Sequence, residues 1–325
     1  MTSNEAAALA VAGPQSYHSL YVSPYPDDAL FACVGRMLAE RAEGHRVLVA
    51  VVFASQPEGT ELEHALSQMG VVAGYLGLEG ARQRSDYYRR YSAALFGRHP
   101  EDERVLSELT TRLSDLVLQT RVRRIYFPLG AGSHVDHRLC HEAGARVFDE
   151  LIGRDVYLYE ERPEALLPGA IRMRLAELGA RLPPAASEIH DDSSLLRVVS
   201  NFCAAAHVRQ SVSSLSESLR CAQRLASRWR AARAWHPLRA YGVRLQPMIE
   251  SPDDASTFGG LVLLSSCANV VRCVYGGEQR LAASLRSYAR RQGSFDYVER
   301  YWLMLPQRDA GGLARVPLGD SVGVT

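Results

Sequence analysis

The sequence contains no lysine. All 37 basic side chains among its 325 residues are arginine, which excludes lysine Schiff-base chemistry and the lysine-dependent phosphate loop of nucleotide hydrolases. It has no excess of charge of one sign either. The 36 acidic residues leave a formal net charge of +1, so no global field recruits nucleic acid or an acidic membrane, and a ligand must be held by local chemistry. The six cysteines (Cys33, Cys140, Cys203, Cys221, Cys267, Cys273) include no C-x-x-C pair. That suits reduced, buried thiols and a cytoplasmic compartment better than a disulfide framework or a structural metal cluster. Long apolar runs are missing too. Val47 to Ala54 and Leu261 to Leu264 fall far short of the about 20 residues that span a bilayer, and the apolar stretch Ala6 to Ala12 lacks the basic flank of a secretory signal. The expected partner is therefore a small-molecule substrate, with no nucleic acid and no membrane, and nothing in the sequence sets an oligomeric state.

What is present suffices for a large core: 47% of the residues are hydrophobic, enough for one large α/β domain or one domain plus an accessory lobe. Leu20 to Ser23 reads as a buried strand, Ala29 to Glu43 as a helix closed by Gly44, and Val47 to Ala54 as an unbroken β-branched-rich strand. Such a βαβ unit implies a parallel sheet with right-handed crossovers. Glu61 to Tyr75 and Glu101 to Gln119 continue as helical segments, Arg124 to Pro128 as a strand, Asp136 to Leu151 as a helix and Val156 to Tyr159 as a strand. The fold class is α/β, a Rossmann-like, mostly parallel sheet with helices on both faces. Residues 1–17 read as a disordered tail and 18–180 as the Rossmann-like core. Residues 181–325 form a less regular C-terminal half that packs on the same core and shapes the pocket. There Arg181 to Ala186 reads as a linker, Leu195 to Ala234 as arginine-rich helix and Leu261 to Tyr275 as having strand character.

Two motifs carry chemistry. Ser23-Pro24-Tyr25-Pro26-Asp27-Asp28-Ala29 follows the first strand, and Gly132-Ser133-His134-Val135-Asp136-His137-Arg138 follows the strand ending at Pro128. Ligands of open α/β sheets bind at the carboxyl ends of strands, so the two segments can meet in one cleft. Taken alone, Asp27-Asp28 is a helix cap, Asp136 caps its own helix, and Gly130 to Gly132 make a tight turn. Taken together they supply what amide hydrolysis needs: adjacent aspartates point different ways, one toward a metal and its neighbour toward a water, and His134 and His137 share one helix face. His190-Asp191-Asp192 reads as capping chemistry, the arginines from Arg209 to Arg239 as a solvated helix face, and Cys33 and Cys140 as buried thiols without a base partner.

These segments, with Leu76-Gly77-Leu78 and Tyr159-Glu160-Glu161, resemble the PIG-L/LmbE-type zinc-dependent N-deacetylases over roughly residues 18 to 160, and more loosely Glu299-Arg300-Tyr301-Trp302 near the end of the chain is similar to a closing motif in one bacterial branch of them. The resemblance implies Asp27 as general base and Asp28 and His137 as zinc ligands. It implies His134 as the imidazole that stabilises the oxyanion or protonates the leaving amine, and Asp136 as the group that orients His134 or His137. Arg84 and Glu160 are implied at the substrate. The sequence departs from that pattern where Tyr25 stands in place of a ligating histidine, Gly80 where an acid is common, and Glu164 where an aromatic is expected.

The metal ligand set is thus one short. A neutral phenol with pKa ~10 is a poor ligand. A phenolate would cancel the charge that acidifies a zinc-bound water. A third alternative is His141, one helical turn beyond His137. The implied function is an amidohydrolase acting on an N-acylated sugar-containing or specialised metabolite. One alternative is a metal-free or metal-altered non-hydrolytic enzyme of cyclisation, elimination or condensation, with Asp27, Tyr25 and His134 as acid/base groups. A further alternative is a binding protein that keeps only the pocket.

Overall fold

A computed structural model describes residues 16–54, 60–151, 153–186, 194–208, 215–240 and 242–306. In chain order its elements are β1 (Ser19–Ser23), α1 (Pro26–Ala42), β2 (Val47–Val51), α2 (Glu61–Gln68), β3 (Val72–Tyr75) and α3 (Ala81–Arg84). Next come α4 (Tyr91–Phe96), α5 (Glu101–Thr120), β4 (Arg124–Pro128), α6 (Val135–Val147), β5 (Asp155–Tyr159) and α7 (Ala170–Glu177). The second half supplies α8 (Leu195–Val208), α9 (Leu215–Ala234), β6 (Arg244–Glu250), α10 (Asp254–Ser266), α11 (Ala268–Tyr275), α12 (Glu278–Arg291) and β7 (Glu299–Leu305).

The strands form one seven-stranded sheet in the order β3-β2-β1-β4-β5-β7-β6. The first five are parallel, while β7 runs antiparallel to both β5 and β6. The chain reverses its direction of winding between β1 and β4, and that switch point is where an open α/β sheet leaves a crevice. Alternation along the central strands explains why both faces are dry. Leu20 and Val22 of β1 and Leu48 and Ala50 of β2 enter one core with α5 and α6, whereas Tyr21, Val47, Val49 and Val51 enter the other with α1. Each fully buried large aliphatic side chain contributes about 1.5–3 kcal/mol. A satellite cluster of Met173, Val198, Phe202, Leu225 and Trp229 ties α7, α8 and α9 together.

Several sequence expectations need correction. Residues 61–75 are not one helix: Gly70, at φ +67°, ends α2 and releases the chain into β3. Leu261 to Tyr275 is helical rather than strand-like. The Asp253 carboxylate accepts the Ser256 N–H at 2.6 Å and starts α10, so capping outweighs the β-propensity of a short apolar run. The segment after His134 is α6 followed by a 3-10 turn, Phe148–Leu151. Tyr17, assigned to the leading tail, is buried and donates its N–H to the Thr120 carbonyl. The two strands β6 and β7, unread in the sequence, extend the sheet. His190-Asp191-Asp192 and Arg209 lie outside the described residues.

The closing segment Glu299 to Trp302 is a structural clasp. Helix α1 is interrupted at Cys33 (φ −129°, ψ 17°), and the Glu299 carboxylate accepts the N–H groups of Gly35 at 2.8 Å and Arg36 at 3.0 Å just beyond the break. Arg300 and Trp302 turn the other way and grip Glu160 at 2.6 and 2.8 Å. No single described helix is long and apolar enough to cross a membrane. Among the described cysteines, none is paired.

Candidate active site

A cavity of about 440 Å³ opens at the switch point, walled by Tyr25, Asp27 and Asp28 from the end of β1 and by His134 and His137 from the end of β4. Phe53, Gly80, Tyr91, Arg162 and Glu164 complete much of its lining. The acidic turn is built by local chemistry. Pro26 begins α1 without an N–H to satisfy, the Asp28 carboxylate accepts the Tyr25 N–H at 2.9 Å, and Ser23 Oγ accepts the Ala29 N–H at 3.0 Å. Capping and site duties thus coincide in Asp28. On the other side, Gly130 (φ +80°) and Ser133 (φ +63°) fold the loop tightly after β4 and deliver His134 as the N-cap of α6.

The two histidines face different environments. His134 Nδ1 accepts the Asp136 N–H at 3.3 Å, which leaves the ring proton on Nε2 as a donor. Burial lowers its pKa to about 4 despite the nearby Asp136. His137 presents Nε2 to Asp28 Oδ2 at 3.3 Å and Nδ1 to Glu161 Oε1 at 3.4 Å. Burial works to lower its pKa as well, but the Asp28 and Glu161 carboxylates outweigh it and raise the value to about 10. Glu161 is itself fixed by the N–H groups of Gly130 and Ala131.

Beneath the cavity floor lies a buried charge relay. The Tyr25 hydroxyl donates to Asp136 Oδ2, which also accepts the Ala81 N–H at 2.9 Å. Asp136 Oδ1 pairs with Arg84 at 2.7 Å, and Arg84 reaches on to Asp102 at 3.0 Å, which Tyr88 also engages. Both the Arg84 and the Asp136 side chains are fully buried.

The structure therefore brings Tyr25, Asp27, Asp28, His134 and His137 to one cavity, with Asp136 directly below. It does not bring Arg84 or Glu160 there. Arg84, assigned to the substrate, spans two buried carboxylates instead. Glu160 is held away by Tyr288 at 2.7 Å together with Arg300 and Trp302. Its neighbour Glu161 is the one that reaches the site, and strand alternation past β5 was the signal that separates the two. His141 does not substitute as a ligand: it is buried against the Pro128 carbonyl at 3.1 Å and does not line the cavity. Sequence reading also gave no site role to Glu161 or Asp102, and noted Glu164 only as a departure.

Residues 20–148 match the PIG-L family, described as GlcNAc-PI de-N-acetylase. This segment of the chain is a PIG-L domain. It includes both motifs and the buried relay, whereas Glu160, Glu161 and Glu164 lie beyond it. No curated protein sequence matches the chain. Among solved structures the chain is similar to a teicoplanin deacetylase bound to bog, with TM-score 0.58 and 16% identity over 90% of this chain and 99% of that one. It is similar to the zinc-inhibited form of that deacetylase (0.57, 16%, 90% and 99%) and to the A40926 pseudoaglycone deacetylase (0.56, 14%, 90% and 98%). At these identities the likeness is one of fold.

The zinc implied for a PIG-L domain can be tested against the donors present. Three protein ligands around an open position are the usual requirement. Here Asp28 and His137 are close enough to share one ion, but the position of the third ligand holds a phenol whose proton is committed to Asp136, and burial together with Asp136 holds that phenol's pKa well above its ordinary range. Among the described residues no group of three His, Cys, Asp or Glu side chains is placed to hold a metal ion. The donor set in this PIG-L domain does not fit a three-ligand zinc centre.

Proposed function

We propose that the protein is an amidohydrolase-class enzyme that removes an acyl group from an N-acylated, sugar-containing small molecule. The observation that carries this reading is the convergence on one cavity of Asp27 and His134, which follow two different strands of the PIG-L segment. Asp27 is suited to take a proton from an attacking water. His134, with its ring proton on Nε2, is suited to donate to the oxygen of a carbonyl under attack. The relatives in fold include a deacetylase of the A40926 pseudoaglycone and one from the teicoplanin biosynthesis pathway, which supports a specialised sugar-bearing substrate. Thiols with no disulfide among the described residues support the cytoplasmic expectation.

A panel of N-acetylated aminosugar glycosides, assayed for free amine and acetate, tests the proposal. Turnover that falls about 10²–10⁴-fold in Asp27→Asn is expected; equal turnover in that variant overturns it. The second reading, a non-hydrolytic acid/base enzyme, draws on the missing third metal donor. It predicts product formation without acetate release.

A further inference from the structure

Tyr25 and Gly80 lie on different elements and depart separately from the expected pattern, yet they occupy one space. Gly80 has φ −68°, a backbone that any residue adopts, so conformation does not demand glycine there. Space does: a Cβ at position 80 would lie 3.0 Å from the Tyr25 hydroxyl and 3.6 Å from Asp136 Oδ2. A side chain at position 80 would therefore crowd the phenol where it meets Asp136, and the hydroxyl would have to give by a few tenths of an ångström. The same carboxylate oxygen receives the Ala81 N–H, and its partner oxygen pairs with Arg84, so the acceptor is held in place from three sides. The two remaining candidate donors, Asp28 and His137, stand 3.3 Å apart, a spacing that two ligands of one tetrahedral metal also have, so what the site lacks is the third donor.

We infer that Tyr25, seated by Gly80 and latched onto Asp136, has replaced the third metal ligand, so that this chain does not hold zinc at its cavity. The two departures are one structural change, in which a phenol needs the room that a side chain at position 80 would take. The site works through Asp27 and the imidazoles, with the latch closing off the coordination position.

Zinc titration of the full chain by calorimetry, with metal content measured after purification, tests this without reading activity, so it fails separately from the proposed hydrolysis. The expected result is substoichiometric zinc in the parent and one zinc per chain in Tyr25→His, with affinity raised about 100-fold or more by the third ligand. Stoichiometric tight zinc in the parent overturns the inference, as does an affinity in folded Tyr25→His no higher than the parent's. Tyr25→Phe serves where the histidine variant does not fold. Unchanged zinc affinity in Tyr25→Phe agrees with a phenol that is no ligand; a tenfold loss shows the phenol ligating and overturns the inference.

Discussion

The phenol of Tyr25 donates its hydrogen bond to the carboxylate of Asp136, 111 positions away in sequence. That bond joins the acidic turn after β1 to the first turn of α6, and it rests on Arg84, which in turn spans to Asp102. The relay beneath the cavity thus alternates charges and hydroxyls, and it ties Tyr25 to the first turn of α6.

Arg84→Met is expected to destabilise the protein by about 3–5 kcal/mol, because it leaves Asp136 and Asp102 buried without their shared cation. Arg84→Lys should recover little, since an ammonium cannot reach two carboxylates as the guanidinium fork does. Urea unfolding measures both. A substrate-contact role would instead raise KM with stability unchanged.

Gly80→Ala is expected to cost about 1–3 kcal/mol in the parent by crowding the Tyr25 hydroxyl. In the Tyr25→Phe background the cost should shrink, giving a coupling of about 0.5 kcal/mol or more in a double-mutant cycle. Additive effects would show that the two positions do not share space.

Glu160→Gln should lower stability by about 3–5 kcal/mol by leaving Arg300 buried without its carboxylate, while ligand affinity at the cavity stays unchanged in the folded fraction. Denaturant melts alongside a ligand titration separate the two roles.

His141 is buried against a backbone carbonyl, and burial lowers its pKa to about 3. The unfolded chain, with an ordinary histidine pKa near 6.5, binds the proton first, so stability is complete above pH 6.5 and is lost as pH falls toward 3. The expected slope is about 1.4 kcal/mol per pH unit within that window. His141→Gln, which keeps a donor for the Pro128 carbonyl, should flatten the difference between urea midpoints at pH 7 and pH 5.

Much of this was legible in advance. The βαβ opening, the strand at Arg124 to Pro128 and the two motifs at strand ends follow from periodicity and turn chemistry that act within a few residues. The same locality explains the misses. An apolar run such as Leu261 to Tyr275 has no intrinsic preference strong enough to choose helix over strand, and a cap at Asp253 chose it. Glu160 and Glu161 are chemically alike, and only the direction in which each leaves β5 sends one to Arg300 and the other to His137.

Residue types and their spacing were enough to declare an α/β sheet, a cleft at its switch point, and acids opposite imidazoles. The resemblance to the PIG-L family added that a ligating histidine is expected where Tyr25 stands. Whether the phenol there would ligate or withdraw depended on groups 55 and 111 positions away, and only packing brought Gly80 and Asp136 to it. Local sequence dictates backbone shape because its forces are short-ranged along the chain. The partner of a hydroxyl is set by what the folded core places within 3 Å of it, and no reading of neighbours in sequence contains that.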